Sequence, residues 1–153
     1  MNTYMFLFLQ PHQFNIQTII FLEKKINMIM DGFFTKFVFS NPFMTMNGLF
    51  FKLPMVTNYL NFITIDLNSN KEWIQRICII EKQVLQYYQM FYNIQNKTPI
   101  YTLKNQLQKG SLKYYRDVQP SSTQSIYYLK ISGIWENQRE IGITFKIIQY
   151  GRI

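Results

Sequence analysis

The chain has 153 residues, of which 48% are hydrophobic, 18% aromatic and only 16% charged. A chain of this length lies within the ~100–200 residues of one domain, and its composition excludes a disordered tail, a collagen-like fibre and a low-complexity linker. Cys78 is the only cysteine and His12 the only histidine, which excludes an intramolecular disulfide and a thiolate metal cage. The 16 Lys and Arg against 8 Asp and Glu give a formal net charge of +8. Alanine is absent, and Ile, Asn, Lys, Phe and Tyr supply 71 residues. Codons for these residues are rich in A and T, so coding bias accounts for part of the lysine excess. It does not account for all of it, because Asp and Glu have compatible codons and are half as numerous.

Residues 5–9 form an apolar run with no basic residue before it, ending at Gln10. A secretory core needs ~7–15 apolar residues behind a positive segment, and no stretch elsewhere approaches the ~18–20 that cross a bilayer. The protein is expected to be intracellular, neither secreted nor membrane-spanning, and a free Cys78 suits a reducing compartment. Strands are expected over about 14–67. Residues 14–22 are β-branched and aromatic and stop at a polar turn, Glu23-Lys24-Lys25. Residues 33–39 alternate, with Phe33, Thr35, Phe37 and Phe39 on one face and Phe34, Lys36 and Val38 on the other. Residues 43–52 return as a further strand with a bulge at Asn47-Gly48, and 61–67 complete a meander.

The period then changes. From Lys71 to about Asn93, Trp73, Ile77, Ile80, Val84, Tyr88 and Phe91 recur at spacings of three and four, predicting a helix over 71–93 with Asn70 as its N-cap. A short helix is predicted over 102–109, closed by Gly110 as the residue after its C-cap. Residues 112–118 read as a short strand. The closing hairpin spans 126–150, with 136–140 as its loop; Ile141, Ile143, Phe145 and Ile147 face one way, and Gly142, Thr144, Lys146 and Ile148 the other. The expected architecture is a single α+β, β-rich domain. It is an antiparallel OB-like barrel or curled sheet with one long helix inserted before the closing hairpin.

Catalytic patterns are missing. His12 sits in a turn and Cys78 within the helix, where a buried, inert thiol is the ordinary state. The eight carboxylates follow no motif, and neither GxGxxG nor GxxxxGK[ST] occurs. Basic residues carry more information. Lys97, Lys104, Lys109, Lys113 and Arg116 run without an acid among them, interleaved with Tyr101, Tyr114 and Tyr115. Cations that follow phosphates beside aromatic faces that stack on bases are what a single nucleic-acid strand needs. Lys36, Lys52, Lys130 and Lys146 lie out of phase with the apolar strand face, in step with Phe34, Tyr128 and Tyr150. Trp135, at the hairpin end, is a core plug or a stacking platform.

The segments Met30-Asp31-Gly32-Phe33-Phe34-Thr35-Lys36, Phe43-Met44-Thr45-Met46-Asn47-Gly48-Leu49, Leu129-Lys130-Ile131-Ser132-Gly133-Ile134-Trp135-Glu136 and Gly142-Ile143-Thr144-Phe145-Lys146 resemble small proteins encoded by large nucleocytoplasmic DNA viruses. Among these are single-stranded DNA-binding proteins of OB fold, similar to a phage-type replication protein. The resemblance implies sequence-tolerant binding of single strands, without a cofactor, at a viral replication site in the host cytoplasm or nucleus. Proteins of this class usually end in an acidic tail that recruits partners. This sequence ends Gln149-Tyr150-Gly151-Arg152-Ile153, so recruitment is expected to differ or to be absent.

The expected function is therefore that of a sequence-tolerant single-stranded DNA-binding protein serving genome replication or repair. The partner is single-stranded nucleic acid, DNA before RNA, with no membrane, metal, cofactor or catalysis, and with self-association left open. The residues expected to touch the strand are Lys97, Lys104, Lys109, Lys113, Tyr114, Tyr115, Arg116, Lys130, Trp135 and Lys146. The alternative is a viral structural or protein-interaction component with no nucleic-acid role.

Overall fold

The closing hairpin is the spine of the structure, a computed structural model that describes residues 8–29, 31–59, 61–113 and 126–150. In chain order the elements are β1 (Ile19–Asn27), β2 (Gly32–Ser40), β3 (Thr45–Met46), β4 (Leu49–Lys52), β5 (Val56–Asn58), β6 (Phe62–Ile65), α1 (Lys71–Tyr92), β7 (Thr98–Ile100), α2 (Thr102–Gln108), β8 (Ser111–Lys113), β9 (Ile126–Glu136) and β10 (Glu140–Tyr150). β9 and β10 pair antiparallel from Glu136 opposite Ile141 to Ile126 opposite Tyr150. Two strands share the other edge of β9: β2 pairs its residues 33–36 with 133–136, and β4 pairs 49–52 with 128–131. The register slips between these two partners, at Ser132, where β9 carries one residue more than β10. A bulge of this kind lets one long strand bend and serve two neighbours.

The larger sheet runs β1-β2-β9-β10-β7, with β7 parallel to β10, and β5-β6-β8 form a second, three-stranded sheet. The α+β class and the helix before the closing hairpin match the sequence expectation; of the two sheet forms expected, no closed barrel is present. Residues 14–67 are not a simple meander, because β4 pairs with β9, and β2, besides pairing with β1 and β3, pairs with β9 as well. Residues 23–25 do not turn; β1 continues through them with a bulge, Phe21 lying opposite Phe37 and Lys24 opposite Thr35. The expected strand over 43–52 breaks into β3 and β4 around Gly48, whose φ of +118° few other residues adopt. Pro99 lies within β7, whose role as a short outer strand tolerates a residue with no N–H. Of the strand expected over 112–118, residues 114–118 lie outside the described residues.

The two helices cover one face of the larger sheet. Ile74, Ile77, Ile80, Val84, Leu85 and Tyr88 of α1 and Leu103 and Leu107 of α2 join Phe37, Phe39, Leu49, Phe51, Leu129, Ile131, Ile134, Ile141, Ile143 and Ile147 in one buried cluster. The buried stripe of α1 departs from the expected one at its ends. Ile74 and Leu85 are in it, Trp73 is half-buried, and Phe91 is 58% exposed. The Asn70 side chain does not cap α1; it donates to the Asp66 carbonyl at 2.9 Å. Asn93 ends the helix in the left-handed conformation, and Gly110, at φ +71°, follows α2 as expected.

Two buried carboxylates hold these layers in register. Glu81, on α1, accepts from the backbone N–H of Leu103 at 3.0 Å and of Lys104 at 2.9 Å. It thereby caps α2, whose own N-cap residue, Tyr101, contributes no side-chain bond. Burial pushes the Glu81 carboxyl up, against the pull of the two N–H groups. Glu136, at the end of β9, accepts from Lys24 Nζ of β1 at 3.0 Å, from Lys97 Nζ at 2.9 Å and from the Tyr88 hydroxyl of α1 at 2.9 Å. Burial would raise its pKa, but the hydrogen bonds from Lys97, Lys24 and Tyr88 outweigh it and hold the carboxyl below its ordinary range.

Glu136→Gln leaves two ammonium groups against a neutral amide and is expected to cost about 3–5 kcal/mol, measured by denaturant melts. A carboxyl whose pKa is depressed on folding contributes stability that is fully present above its unfolded value, near 4.5, and is lost as pH falls through the folded one. Acid should therefore weaken the wild type through that window more steeply than Glu136→Gln. Glu81→Ala strands the buried Leu103 N–H and is expected to cost about 1–3 kcal/mol. Hydrogen exchange should show the amides of Leu103 and Lys104 losing protection first.

Candidate nucleic-acid interface

The alternation of the strands sorts the lysines. In β2, Thr35, Phe37 and Phe39 are buried while Lys36 is exposed and Phe34 and Val38 are half-exposed. In β10, Ile141, Ile143 and Ile147 are buried while Lys146 is exposed. Residues that pair across antiparallel strands share a face, so the pairings extend this second, outer face across the sheet. Lys130 lies opposite both Lys146 and Phe50, Tyr128 opposite both Lys52 and Ile148, Lys36 opposite Gly133, and Phe34 opposite Trp135. The outer face thus carries Lys36, Lys52, Lys130 and Lys146 among Phe34, Phe50, Trp135 and Tyr150, with Tyr128 on the same side but buried.

Three of these lysines feel one another. The Lys130 pKa is held below its usual value of 10.5, first by partial burial and then by the charges of Lys146 and Lys36. The Lys130 ammonium lies 5.3 Å from the centre of the Phe50 ring. Ion pairs among the described residues join Lys24 and Lys97 to Glu136 and Arg76 to Glu72, and none involves a lysine of this face. Like charges gathered without a counter-charge cost free energy in the empty state, and a bound polyanion removes that cost. Trp135 is half-exposed and lies over Gly142: a Cβ there would fall 2.5 Å from its ring. The glycine gives the indole its seat, and Phe8 approaches Tyr128 at 5.7 Å near the other end of the face.

Among the described residues of the expected basic segment, 97–113, the lysines meet different surroundings. Lys97 is committed to Glu136 and to the Asn137 carbonyl at 2.8 Å, with only 16% of its side chain exposed. Lys104 lies near Tyr101, 5.9 Å from the ring centre, on the helical side of the sheet. Lys109 and Lys113 are exposed at the end of α2 and on β8, away from the lysine pairs of the larger sheet. Tyr114, Tyr115 and Arg116 lie outside the described residues. Of the residues expected to touch the strand, Lys130, Lys146 and Trp135 share this face with Lys36, Lys52 and Phe34, which the strand alternation already set there, and the structure adds Phe50. Phe50 had no distinguishing mark in the sequence, since its partner Lys130 is 80 positions away and only the β4–β9 pairing joins them.

Other chemistry finds little support. His12 is exposed in a single 3-10 turn, Pro11–Gln13. Burial, then the nearby Glu81, pushes the Cys78 thiol up and away from the reactive thiolate. Cys78 lines an apolar groove of about 590 Å³ between α1 and α2 with Leu67, Ile74, Ile79 and Lys104. Among the described residues no group of three or more His, Cys, Asp or Glu could hold a metal ion, and no helix is long and apolar enough to cross a membrane.

Removing one member of the lysine cluster should release the others. Lys146→Met is expected to raise the Lys130 pKa toward 10.5, followed by NMR titration of the 13C-dimethylated amines. An unchanged Lys130 would mean that the amines do not interact. No known protein family, curated protein or solved structure matches this chain, which leaves the chemistry of the lysine face itself to indicate a role.

Proposed function

We propose that the protein binds single-stranded nucleic acid, DNA before RNA and without sequence preference, across the outer face of its larger sheet. The observation that carries this reading is the cluster of Lys36, Lys130 and Lys146, which has no carboxylate partner among the described residues and lies among Phe34, Phe50 and Trp135. Phosphates would follow the lysines, and bases would stack on the aromatic rings at ~1–3 kcal/mol each. An unpaired strand suits this face better than a duplex, because stacking needs bases freed from their own neighbours. The viral resemblance of the strand segments supports a place in genome replication or repair, within the infected cell. No step in this role calls for a cofactor or for catalysis.

A second reading draws on a different surface. Ile26, Met28 and Ile29 are 73%, 93% and 96% exposed along one margin of the larger sheet. An apolar margin of that kind favours a viral structural or protein-interaction component.

Fluorescence anisotropy with a labelled single strand and its duplex, at two salt concentrations, separates the two. The expected result is salt-weakened binding that prefers the single strand and tolerates changes of sequence. Substituting Lys36, Lys130 and Lys146 together by alanine should lower affinity and shrink the salt slope by about 2, because each phosphate deprived of its lysine removes roughly 0.7. An absence of binding at low salt would rule the strand-binding role out and leave the protein-interaction reading.

A further inference from the structure

We infer that the protein forms a two-fold dimer by antiparallel pairing of β1 with β1 of a second copy. This rests on a surface separate from the lysine face. β1 is an edge strand, and among the described residues only β2 lies beside it. Soluble proteins usually guard such an edge with charges, prolines, bulges or a covering element, because its backbone invites pairing, and β1 carries a bulge and charges at its middle alone. Here the margin is apolar at both ends: Ile20 is 50% exposed, Leu22 41% and Ile26 73%, with Met28 and Ile29 following. Phe33, opposite Ile26 in β2, is 39% exposed, and Phe91 of α1 meets Phe21 of β1 edge-on at 5.4 Å between ring centres. Glu23, Lys24 and Lys25 interrupt this margin at its middle, and Asn27 near its end.

The three charged residues specify the occupant. A two-fold axis normal to the sheet keeps each face on its own side, so residues that meet across it must face the same way. With the axis through Lys24, Lys25 of one copy falls opposite the bulge residues Leu22 and Glu23 of the other, and Ile26 falls opposite Phe21. Both strands carry the same bulge, so the facing stays in step along the pairing. The exposed charges are then complementary twice over, each Glu23 lying beside the other copy's Lys25. Lys24 meets its own counterpart at the axis, but its ammonium is drawn inward to Glu136 at 3.0 Å, whose charge it shares with Lys97, and lies 4.2 Å from the Tyr92 ring centre. Moving the axis away from Lys24 loses both charge pairs. A second copy therefore fits this edge in charge, facing and apolar cover at once. The same axis would bring the two outer faces to one side of a continuous sheet.

Sedimentation velocity on the full-length protein, without nucleic acid and over a range of micromolar concentrations, tests this apart from strand binding. The expected species has twice the 18.5 kDa mass of the chain. Glu23→Lys sets like charges opposite one another at two places and is expected to weaken the dimer about tenfold or more. Adding Lys25→Glu to it restores opposite signs and should restore the dimer. Both positions are exposed, so circular dichroism should report the same fold in all three proteins. A single-chain mass throughout, an open-ended assembly, or a dimer indifferent to Glu23→Lys overturns the proposal.

Discussion

The arrangement of this protein turns on one carboxylate. Glu136 ends the central strand β9 and gathers Lys24 from the bulged edge strand, Tyr88 from the long helix and Lys97 from the segment that follows it. Tyr88 in turn lies 3.2 Å from the Thr35 hydroxyl of β2. Four elements distant in sequence are thus tied to one buried charge. Burying an unpaired carboxylate is costly, and pairing it only partly would leave a large penalty. The site is tolerable because every strong donor arrives together, which makes the position of the β1 bulge, the end of α1 and the end of β9 conditions of one another. The bulge between Phe21 and Lys24 has a purpose in this light: it sets Lys24 opposite Thr35, on the side where Glu136 lies.

This constraint also decides what the basic composition means at the surface. A net charge of +8 does not say where the charge lies. Lys24 and Lys97 are committed inside the molecule to Glu136, so the run of bases beginning at Lys97 loses its first member. Among the described residues, the lysines without a counter-charge on one continuous surface belong to β2, β4, β9 and β10. They fall in step across paired strands, Lys130 opposite Lys146, and the Lys130 pKa is lowered, first by partial burial and then by the charges of Lys146 and Lys36.

What could be read in advance follows the range of the interactions. Periods of two and of three to four residues are local, so β2, the closing hairpin, α1 and the sorting of β10 into two faces were all legible. Turn chemistry was legible where it depends on a single backbone angle, as at Gly110. The two buried carboxylates were not. Glu81 sits where a helix would carry a solvated charge, and its partners are the N–H groups of Leu103 and Lys104, which have no side-chain identity to read. Glu136 looks like the first residue of a polar loop, and its donors lie 112, 48 and 39 positions away. The sharing of β9 between β2 and β4 was hidden for the same reason: it is a register between distant strands, marked only by the extra residue at Ser132.

The two surfaces of interest are joined by geometry as well as by charge. β1 borders β2, and β2 carries Lys36 and Phe34 on the outer face, so the apolar margin and the lysine face meet along one strand. Lys25 lies opposite Phe34 in that pairing and so belongs to both. If β1 pairs with its own counterpart, Lys25 is drawn toward Glu23 of the second copy and contributes less to an anion on the outer face, while Lys36 and its neighbours keep their unbalanced charge. Dimer formation would therefore leave the centre of the lysine cluster unchanged and reduce the positive potential at the seam, so that a bound strand would be held by each copy separately rather than by the junction between them.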